Sequence, residues 1–228
     1  MATNKPLQKR SRERVEKIML AAADELAKTA DADALTTTSV AKRSGVPVAT
    51  IYRYFADRSA IISALIDEET RVIDDAVAAE LETLDLITFD VLLQTIMHAH
   101  LDHFQSSRRA IVLWFGARKS KEVLGRVDRR YAYLGGWLME GAIRSGMARP
   151  DAPAYGGELI VWICDRAFEY MFREERSAAT ENEIMELAMH MLSQTIAEYT
   201  TDLGREGIGR DQFLETFGEY KPPTRLLD

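Results

Sequence analysis

Cysteine is almost absent from this chain, since Cys164 is the single thiol among 228 residues. One thiol excludes an internal disulfide and a zinc site built from several cysteines, and its apolar surroundings favour a core position. Long apolar runs are missing too: a run such as residues 159–164 ends at Asp165 and Arg166. The first residues do not show the basic region, apolar region and small-residue cleavage site that follow one another in a secretion signal. We therefore expect a cytoplasmic protein.

Catalytic motifs are also missing from the sequence. It contains no nucleophile-elbow glycines, no glycine-rich phosphate loop and no cluster with metal-ligand spacing. The histidines at positions 98, 100 and 103 come nearest to a metal site, but on a helix only His100 and His103 would share a face. We predict no metal, no cofactor and no enzymatic activity.

Charge is distributed unevenly along the chain. The net charge is −7, yet residues 1–60 carry a net +4 and the remainder carries −11. A basic end can contact phosphates, while an acidic body stays soluble and repels non-specific contact with DNA. Basic N-termini are often only solvated tails, so the charge pattern needs support from a motif.

That support comes from the stretch between Thr36 and Arg58, which indicates two short helices joined by a tight turn. The hydroxyl of Thr36 can cap the first helix, and Gly45 suits the left-handed conformation of the turn. Pro47 suits the start of the second helix, where a missing N–H costs nothing. This layout is typical of a helix-turn-helix DNA-binding motif.

The segment from about Ile18 to Leu65 resembles the DNA-binding domain of the TetR family of transcriptional regulators. The matching positions are Val40-Ala41, Arg43, Gly45-Val46, the run TIYRYF at residues 50–55, and Arg58, where the family usually has lysine. The chain departs from the family pattern at Ala30, commonly glycine, at Pro47, usually a capping serine, and at Val48-Ala49, usually lysine-glycine.

The resemblance implies which side chains meet DNA. Base edges would be contacted by Thr38, Val48, Ala49, Thr50 and Arg53, and the DNA backbone by Thr36, Tyr52, Tyr54 and Arg58. Arg53 is the only long donor on the second helix and could bind guanine O6 and N7, with phosphate contact as the alternative. Because residues 48–50 are short and mostly apolar, we predict contacts with thymine methyl groups and therefore A·T content at those steps.

Apolar residues recur at helical spacing along nearly all of the chain, with no strand-like alternation and no internal repeat. The sequence therefore predicts an all-α protein with about nine helices or more. An N-terminal three-helix DNA-binding domain would precede a C-terminal helical ligand-binding and dimerisation domain. The expected division is a disordered basic arm (1–11), the helix-turn-helix domain (12–57), the effector-binding and dimerisation domain (58–203), and a tail (204–228) with a short helix over 212–217.

The middle helices are rich in aromatic and flexible apolar residues, which suggest an apolar cavity with a few polar anchors. Most such residues are ordinary core in any protein, so packing alone is the competing interpretation for each of them. The candidate effector-binding residues are Met97, His100, Phe104, Trp114, Tyr131, Trp137, Trp162, Arg166 and Phe168. The expected effector is a mostly hydrophobic small molecule.

Residues 152–203 contain two adjacent helical patterns with more apolar residues than the core of the C-terminal domain requires. Pairing with the same helices of a second copy would bury the excess, so we expect a homodimer on a palindromic operator. Together with the resemblance to the TetR family, whose members usually repress transcription, this implies a ligand-responsive repressor. The alternative is a dimeric DNA-binding protein whose body binds a protein partner or no effector.

Overall fold

Eleven helices account for most of the computed structural model, which describes residues 5–29, 31–116 and 121–218. They are α1 (Lys5–Thr29), α2 (Thr37–Ser44), α3 (Val48–Ile51), α4 (Arg58–Leu81), α5 (Phe89–Ser106), α6 (Arg108–Ile111), α7 (Lys121–Ser145), α8 (Gly156–Phe172), α9 (Ala178–Ile196), α10 (Asp202–Glu206) and α11 (Arg210–Phe217). A 3₁₀ turn spans Ala32–Ala34 and a π-helix spans Val112–Gly116. Within the described ranges, the sheet consists of β1 (Leu86–Ile87) antiparallel to β2 (Ile208–Gly209). The predicted all-α fold is confirmed.

The described residues divide into two compact units. Unit 1 runs to Glu69 and also contains residues 107–125, whereas unit 2 contains residues 70–106 and everything after residue 125. Helices α4 and α7 each contribute residues to both units. The two units are defined by which residues pack together and not by function. The functional boundaries expected at residues 57 and 203 therefore stay a prediction.

The core of unit 1 is formed by the apolar faces of its first helices. Ile18 and Leu26 of α1, Val40 of α2, Ile51 of α3 and Ile61 of α4 are completely buried. Their helical spacing places these residues on one side of each helix, so α1 packs on α2 and α2 on α3. This core fixes the geometry of the helix-turn-helix motif.

The prediction of a disordered arm over residues 1–11 was wrong for residues 5–11, because these residues belong to α1. Proline is tolerated in the first turn of a helix, so Pro6 does not prevent the helix from starting there. The following Leu, Gln, Lys and Arg residues are good helix formers. Residues 1–4 lie outside the described residues.

In unit 2, helices α7 and α8 approach each other through glycine. A Cβ on Gly135 would clash with the backbone of Glu158, and a Cβ on Gly157 would clash with the carbonyl of Gly135. The absence of side chains allows the two backbones to touch at this crossing. Both glycines are therefore packing requirements of the body.

The end of the described chain is packed against α7. Phe213 and Phe217 of α11 stack with ring centroids 4.5 Å apart, and Trp137 Nε1 donates a hydrogen bond to the Phe217 carbonyl at 3.0 Å. Residues 204–228 were expected to form a tail, but as far as residue 218 they form part of unit 2. Phe213 and Phe217 lie on one helical face and bury together, which explains the docking. Residues 219–228 lie outside the described residues.

Candidate functional site

The entry to α2 is fixed by a reciprocal cap. Thr36 Oγ1 accepts a hydrogen bond from the Ser39 N–H at 3.0 Å, and Ser39 Oγ accepts one from the Thr36 N–H at 3.1 Å. At the other end Gly45 has φ +68°, the left-handed conformation that ends the helix. Thr38 is exposed in the first turn of α2, as a side chain that contacts DNA must be.

Helix α3 is short, and one side of it packs against the core of unit 1. Ile51 is fully buried and Phe55 nearly so, and they anchor the segment on unit 1. The opposite side of the segment faces outward: Ala49, Tyr52 and Arg53 are exposed, and Val48 and Thr50 are half-exposed. The helix covers Val48–Ile51, and residues 52–54 form the turn that follows. The structure thus places four of the five predicted base-contacting residues, Val48, Ala49, Thr50 and Arg53, on this segment, and the fifth, Thr38, on α2.

Tyr54 belongs to a cluster that includes two residues of α1. Ser11 Oγ donates a hydrogen bond to Tyr54 Oη over 3.4 Å. Hydrogen bonds from Ser11 and Arg14 lower the pKa of the Tyr54 hydroxyl, because they stabilise negative charge on its oxygen. Neither Ser11 nor Arg14 was predicted to belong to the site, and Ser11 fell within the disordered arm expected over residues 1–11.

Arg58 stands at the first position of α4 and is engaged with the 3₁₀ turn before α2. Its Nη2 lies 2.9 Å from Asp33 Oδ1, and its Nη1 donates to the Asp33 carbonyl at 3.1 Å. The two side chains are 39% and 45% exposed. Asp57 caps the same helix, with Oδ1 accepting from the Ala60 N–H at 2.8 Å. Asp33, like Ser11 and Arg14, was not predicted from the sequence to belong to the site.

The predicted effector residues are divided among several surroundings. His100, Phe104 and Phe168 form one buried aromatic cluster, with His100 stacked on Phe168 at a centroid distance of 5.9 Å and Phe104 edge-on to Phe168 at 5.4 Å. Met97, on the same helix as His100, is buried. These residues lie in unit 2 and come from α5 and α8.

The remaining candidates lie elsewhere. Tyr131 and Trp162 meet edge-to-face at 5.2 Å, and Arg166 lies 5.9 Å from the centroid of the Trp162 ring. Arg166 is half-exposed and forms ion pairs with Asp165 and Glu169, so it is a surface residue. Trp137 packs on α11. Trp114 is buried in the π-helix of unit 1.

Unit 2 contains a buried ion pair that was not predicted from the sequence. Arg130 of α7 donates to both carboxylate oxygens of Asp74 on α4, at 3.1 and 2.6 Å, and both side chains are almost fully buried. Burial of the His100 ring, together with the nearby charge of Arg130, lowers its pKa to about 4. The imidazole is therefore neutral, with Nδ1 2.7 Å from the Ile96 carbonyl.

The buried His100 makes the stability of the protein depend on pH. Its pKa is about 4 in the folded chain and about 6.5 when unfolded, so the unfolded state binds more protons between these values. We expect the stabilisation to be complete above pH 6.5 and to fall by about 3 kcal/mol as the pH drops to 4. Urea unfolding of wild type and His100→Phe at pH 7 and pH 4 tests this expectation. The variant should lose less stability than wild type, with the exposed His98→Phe as control; equal losses would contradict it.

An open cleft of about 440 Å³ lies along α4 and α5. Glu80, His98 and Asp102 contribute polar groups, while Leu84 and Val91 contribute apolar surface. None of the nine predicted effector residues lines this cleft. The aromatic cluster and the cleft are therefore separate features of unit 2.

Cys164 is buried, in agreement with the expected core position. Burial and the neighbouring Asp165 raise the pKa of its thiol to about 12, which leaves it without thiolate character. Among the described residues, no group of three or more His, Cys, Asp or Glu side chains could hold a metal ion. No helix in the described ranges is long and apolar enough to cross a membrane.

Comparison with known proteins agrees with the geometry of unit 1. The family model for bacterial regulatory proteins of the tetR family matches residues 19–65, the span from α1 into α4. The HTH-type transcriptional regulator BetI of Cronobacter sakazakii is 30% identical over 97 residues. That match spans 41% of this chain and about half, 48%, of the relative's length.

Solved structures extend the similarity in fold to most of the chain. A TetR-family transcriptional regulator from Streptomyces coelicolor aligns with a TM-score of 0.61 and 24% identity, covering 82% of this chain and 99% of that one. The fatty acid degradation regulator FadR from Bacillus halodurans aligns with a TM-score of 0.63 and 15% identity, over 78% and 96% of the two chains. At these identities the alignments show a common fold.

Proposed function

We propose that this chain is a DNA-binding transcriptional regulator of the TetR family, and that it acts as a homodimeric repressor that a mostly hydrophobic small molecule releases from its operator. The observation that carries the DNA half of this proposal is the exposed segment at residues 48–53, anchored from behind by Ile51 and Phe55. We further propose that it acts in the cytoplasm, as is usual for such regulators.

In the proposed complex, α3 enters the major groove. Arg53 would bind guanine, and Val48, Ala49 and Thr50 would pack against thymine methyl groups, with Thr38 reaching bases from the first turn of α2. The DNA backbone would be held by Thr36, Tyr52, Tyr54 and Arg58. The capping bond at Thr36 supports this role, because its oxygen accepts from Ser39 while its own O–H stays available to donate to a phosphate.

Selection of preferred sites from random DNA tests the reading surface. We expect a palindromic site, because a two-fold dimer presents two copies of α3 to successive major grooves. The steps facing residues 48–50 should be rich in A·T. Selected sites with uniform G·C at those steps would contradict the proposed thymine contacts.

Substitution of Arg53 tests whether its side chain contacts a base or only a phosphate. If Arg53 binds guanine, Arg53→Ala should weaken binding by about tenfold per half-site and relax the preference at one base pair. If it contacts only phosphate, the loss should be similar for every sequence, and the salt dependence should become shallower. Titrating the variant against the selected duplex and single-base variants of it distinguishes the two roles.

The proposed dimer interface is the outward face of α8 and α9. These helices pack against each other, yet Leu159 and Ile163 on α8 and Leu187 and Met191 on α9 are exposed. They repeat at helical spacing, whereas a second stripe on α9 fills the core of unit 2. A surplus of exposed apolar side chains on adjacent helices supports pairing with a second copy.

We propose that the effector contacts the aromatic cluster of His100, Phe104 and Phe168, together with Met97 and the Tyr131–Trp162 pair. A neutral, buried imidazole suits a ligand with an apolar body and few polar groups. Trp114 and Trp137 lie in other surroundings, and Arg166 would act only at the rim. The effector would change the separation of the two α3 helices by binding one dimer arrangement more tightly than the other.

Thermal-shift screening followed by DNA release tests the effector half of the proposal. Apolar and aromatic small molecules should include one that raises the melting temperature of wild type, and the same compound should release the selected duplex. His100→Leu should weaken both effects in parallel. The effector proposal would be contradicted if no small molecule shifted the melting temperature and the C-terminal domain bound a protein instead. A protein-binding C-terminal domain would then be the better account.

A further inference from the structure

We infer that Asp33 is an internal competitor of the DNA backbone for Arg58, and so limits the affinity of this regulator for every DNA sequence. The inference rests on the proposed contact between Arg58 and phosphate. It concerns a residue on the turn before α2 that takes part in no proposed DNA contact.

The position of Asp33 is well fixed. Asp31 Oδ1 accepts a hydrogen bond from the Asp33 N–H at 2.8 Å, and the Leu35 N–H donates to the Ala32 carbonyl at 3.4 Å, which together hold the 3₁₀ turn. Leu35 is completely buried and anchors the turn to unit 1. The carboxylate therefore stays beside the first turn of α4.

The oxygens of Asp33 offer Arg58 what a phosphate would offer. The carboxylate Oδ1 and the backbone carbonyl accept from separate guanidinium nitrogens, at 2.9 and 3.1 Å. Arginine binds planar pairs of oxygen acceptors in this forked manner, and a phosphate presents a similar pair. A phosphate at α4 must therefore share or displace Asp33.

The ion pair between Arg58 and Asp33 is weak enough for a phosphate to displace Asp33, but the displacement still lowers the affinity for DNA. Both side chains are more than a third exposed, and exposed ion pairs contribute little to stability. A phosphate can therefore take Arg58 from Asp33. The displaced carboxylate then lies close to the DNA backbone and is repelled by it. Both effects lower affinity, and neither depends on base sequence.

Asp33→Asn in the full chain tests the inference, because it removes the charge and keeps the shape of the turn. Binding to a fluorescent random-sequence duplex is measured by anisotropy across a salt series. We expect affinity to rise about threefold per protomer, or about tenfold for a dimer on DNA. We also expect the plot of log affinity against log salt to steepen by up to about 0.9 per protomer, because Arg58 no longer shares its charge between a carboxylate and the phosphate.

Two further variants separate this effect from a general change in charge. Asp24→Asn removes an exposed carboxylate of unit 1 that lies 3.9 Å from Arg43, but Arg43 keeps Glu25 at 2.9 Å. It should change affinity less than twofold. In the Arg58→Gln background, Asp33→Asn should raise affinity less than it does in wild type, because competition for Arg58 is gone and only repulsion between the carboxylate and the DNA backbone remains.

The outcomes distinguish this inference from the proposal on which it rests. Wild type that binds the duplex, with Asp33→Asn equal to it or weaker, would overturn the competitor role alone. Weaker binding would mean that Asp33 orients Arg58 for the phosphate. Wild type without salt-dependent binding to duplex DNA would overturn the competitor role and the proposed function together.

Discussion

Replacing Asp74 with alanine is expected to cost about 3–5 kcal/mol of folding free energy, which is enough to unfold many domains of ordinary stability. Arg130 is 3% exposed and Asp74 is 7% exposed, so the substitution removes the carboxylate that compensates a buried guanidinium. Urea unfolding followed by circular dichroism gives the loss. The neighbouring pair Arg71–Asp75 is the matched control, since it lies on the same helix with both side chains more than half exposed.

Asp75→Ala should cost less than about 1 kcal/mol, because an exposed pair contributes little. Replacing both buried partners by apolar residues, Asp74→Leu with Arg130→Met, should recover most of the stability lost in Asp74→Ala. Recovery is expected because the large cost comes from an uncompensated buried charge and not from a strongly stabilising pair. A loss in Asp74→Ala no larger than in Asp75→Ala would contradict the assigned burial.

Placing charge on the outward face of α9 is expected to separate the protomers. Leu187 and Met191 are 61% and 63% exposed in one chain and lie one turn apart. The double variant Leu187→Glu with Met191→Glu should be a folded monomer by sedimentation, because two-fold symmetry brings like charges together. Its affinity for the selected palindrome should fall about hundredfold or more, since each half-site must then be bound separately.

Leu214→Glu provides the control for this experiment. Leu214 is a partly exposed leucine of α11, which is not one of the two helices of the proposed interface. It should leave both the dimer and the DNA affinity unchanged. A double variant that remains dimeric and binds DNA like wild type would place the interface elsewhere on the chain.

Local signals in the sequence predicted the DNA-binding motif well. The Thr36 cap and the left-handed Gly45 each depend on residues within a few positions, and both are present. Helical periodicity likewise predicted the all-α class. The start of α1 was misjudged because charge and a proline resemble disorder in composition, although both are compatible with a first helical turn.

Pairings between distant residues could not be predicted from spacing. Arg58 and Asp33 are 25 residues apart, and Arg130 and Asp74 are 56 apart, so only the tertiary fold brings them together. For the same reason the predicted effector residues were chosen by type and were then divided by the fold. Trp137 illustrates this outcome, because its indole N–H binds the Phe217 carbonyl of a segment expected to be a tail.

Equilibrium titration of the wild-type chain against the selected duplex and a scrambled duplex, at one salt concentration, tests the central claim most directly. A sequence-reading dimer should prefer the selected duplex by at least about a thousandfold. It should saturate that duplex with one protomer for each half-site. Equal affinity for the two duplexes would contradict the claim that residues 48–53 read DNA sequence.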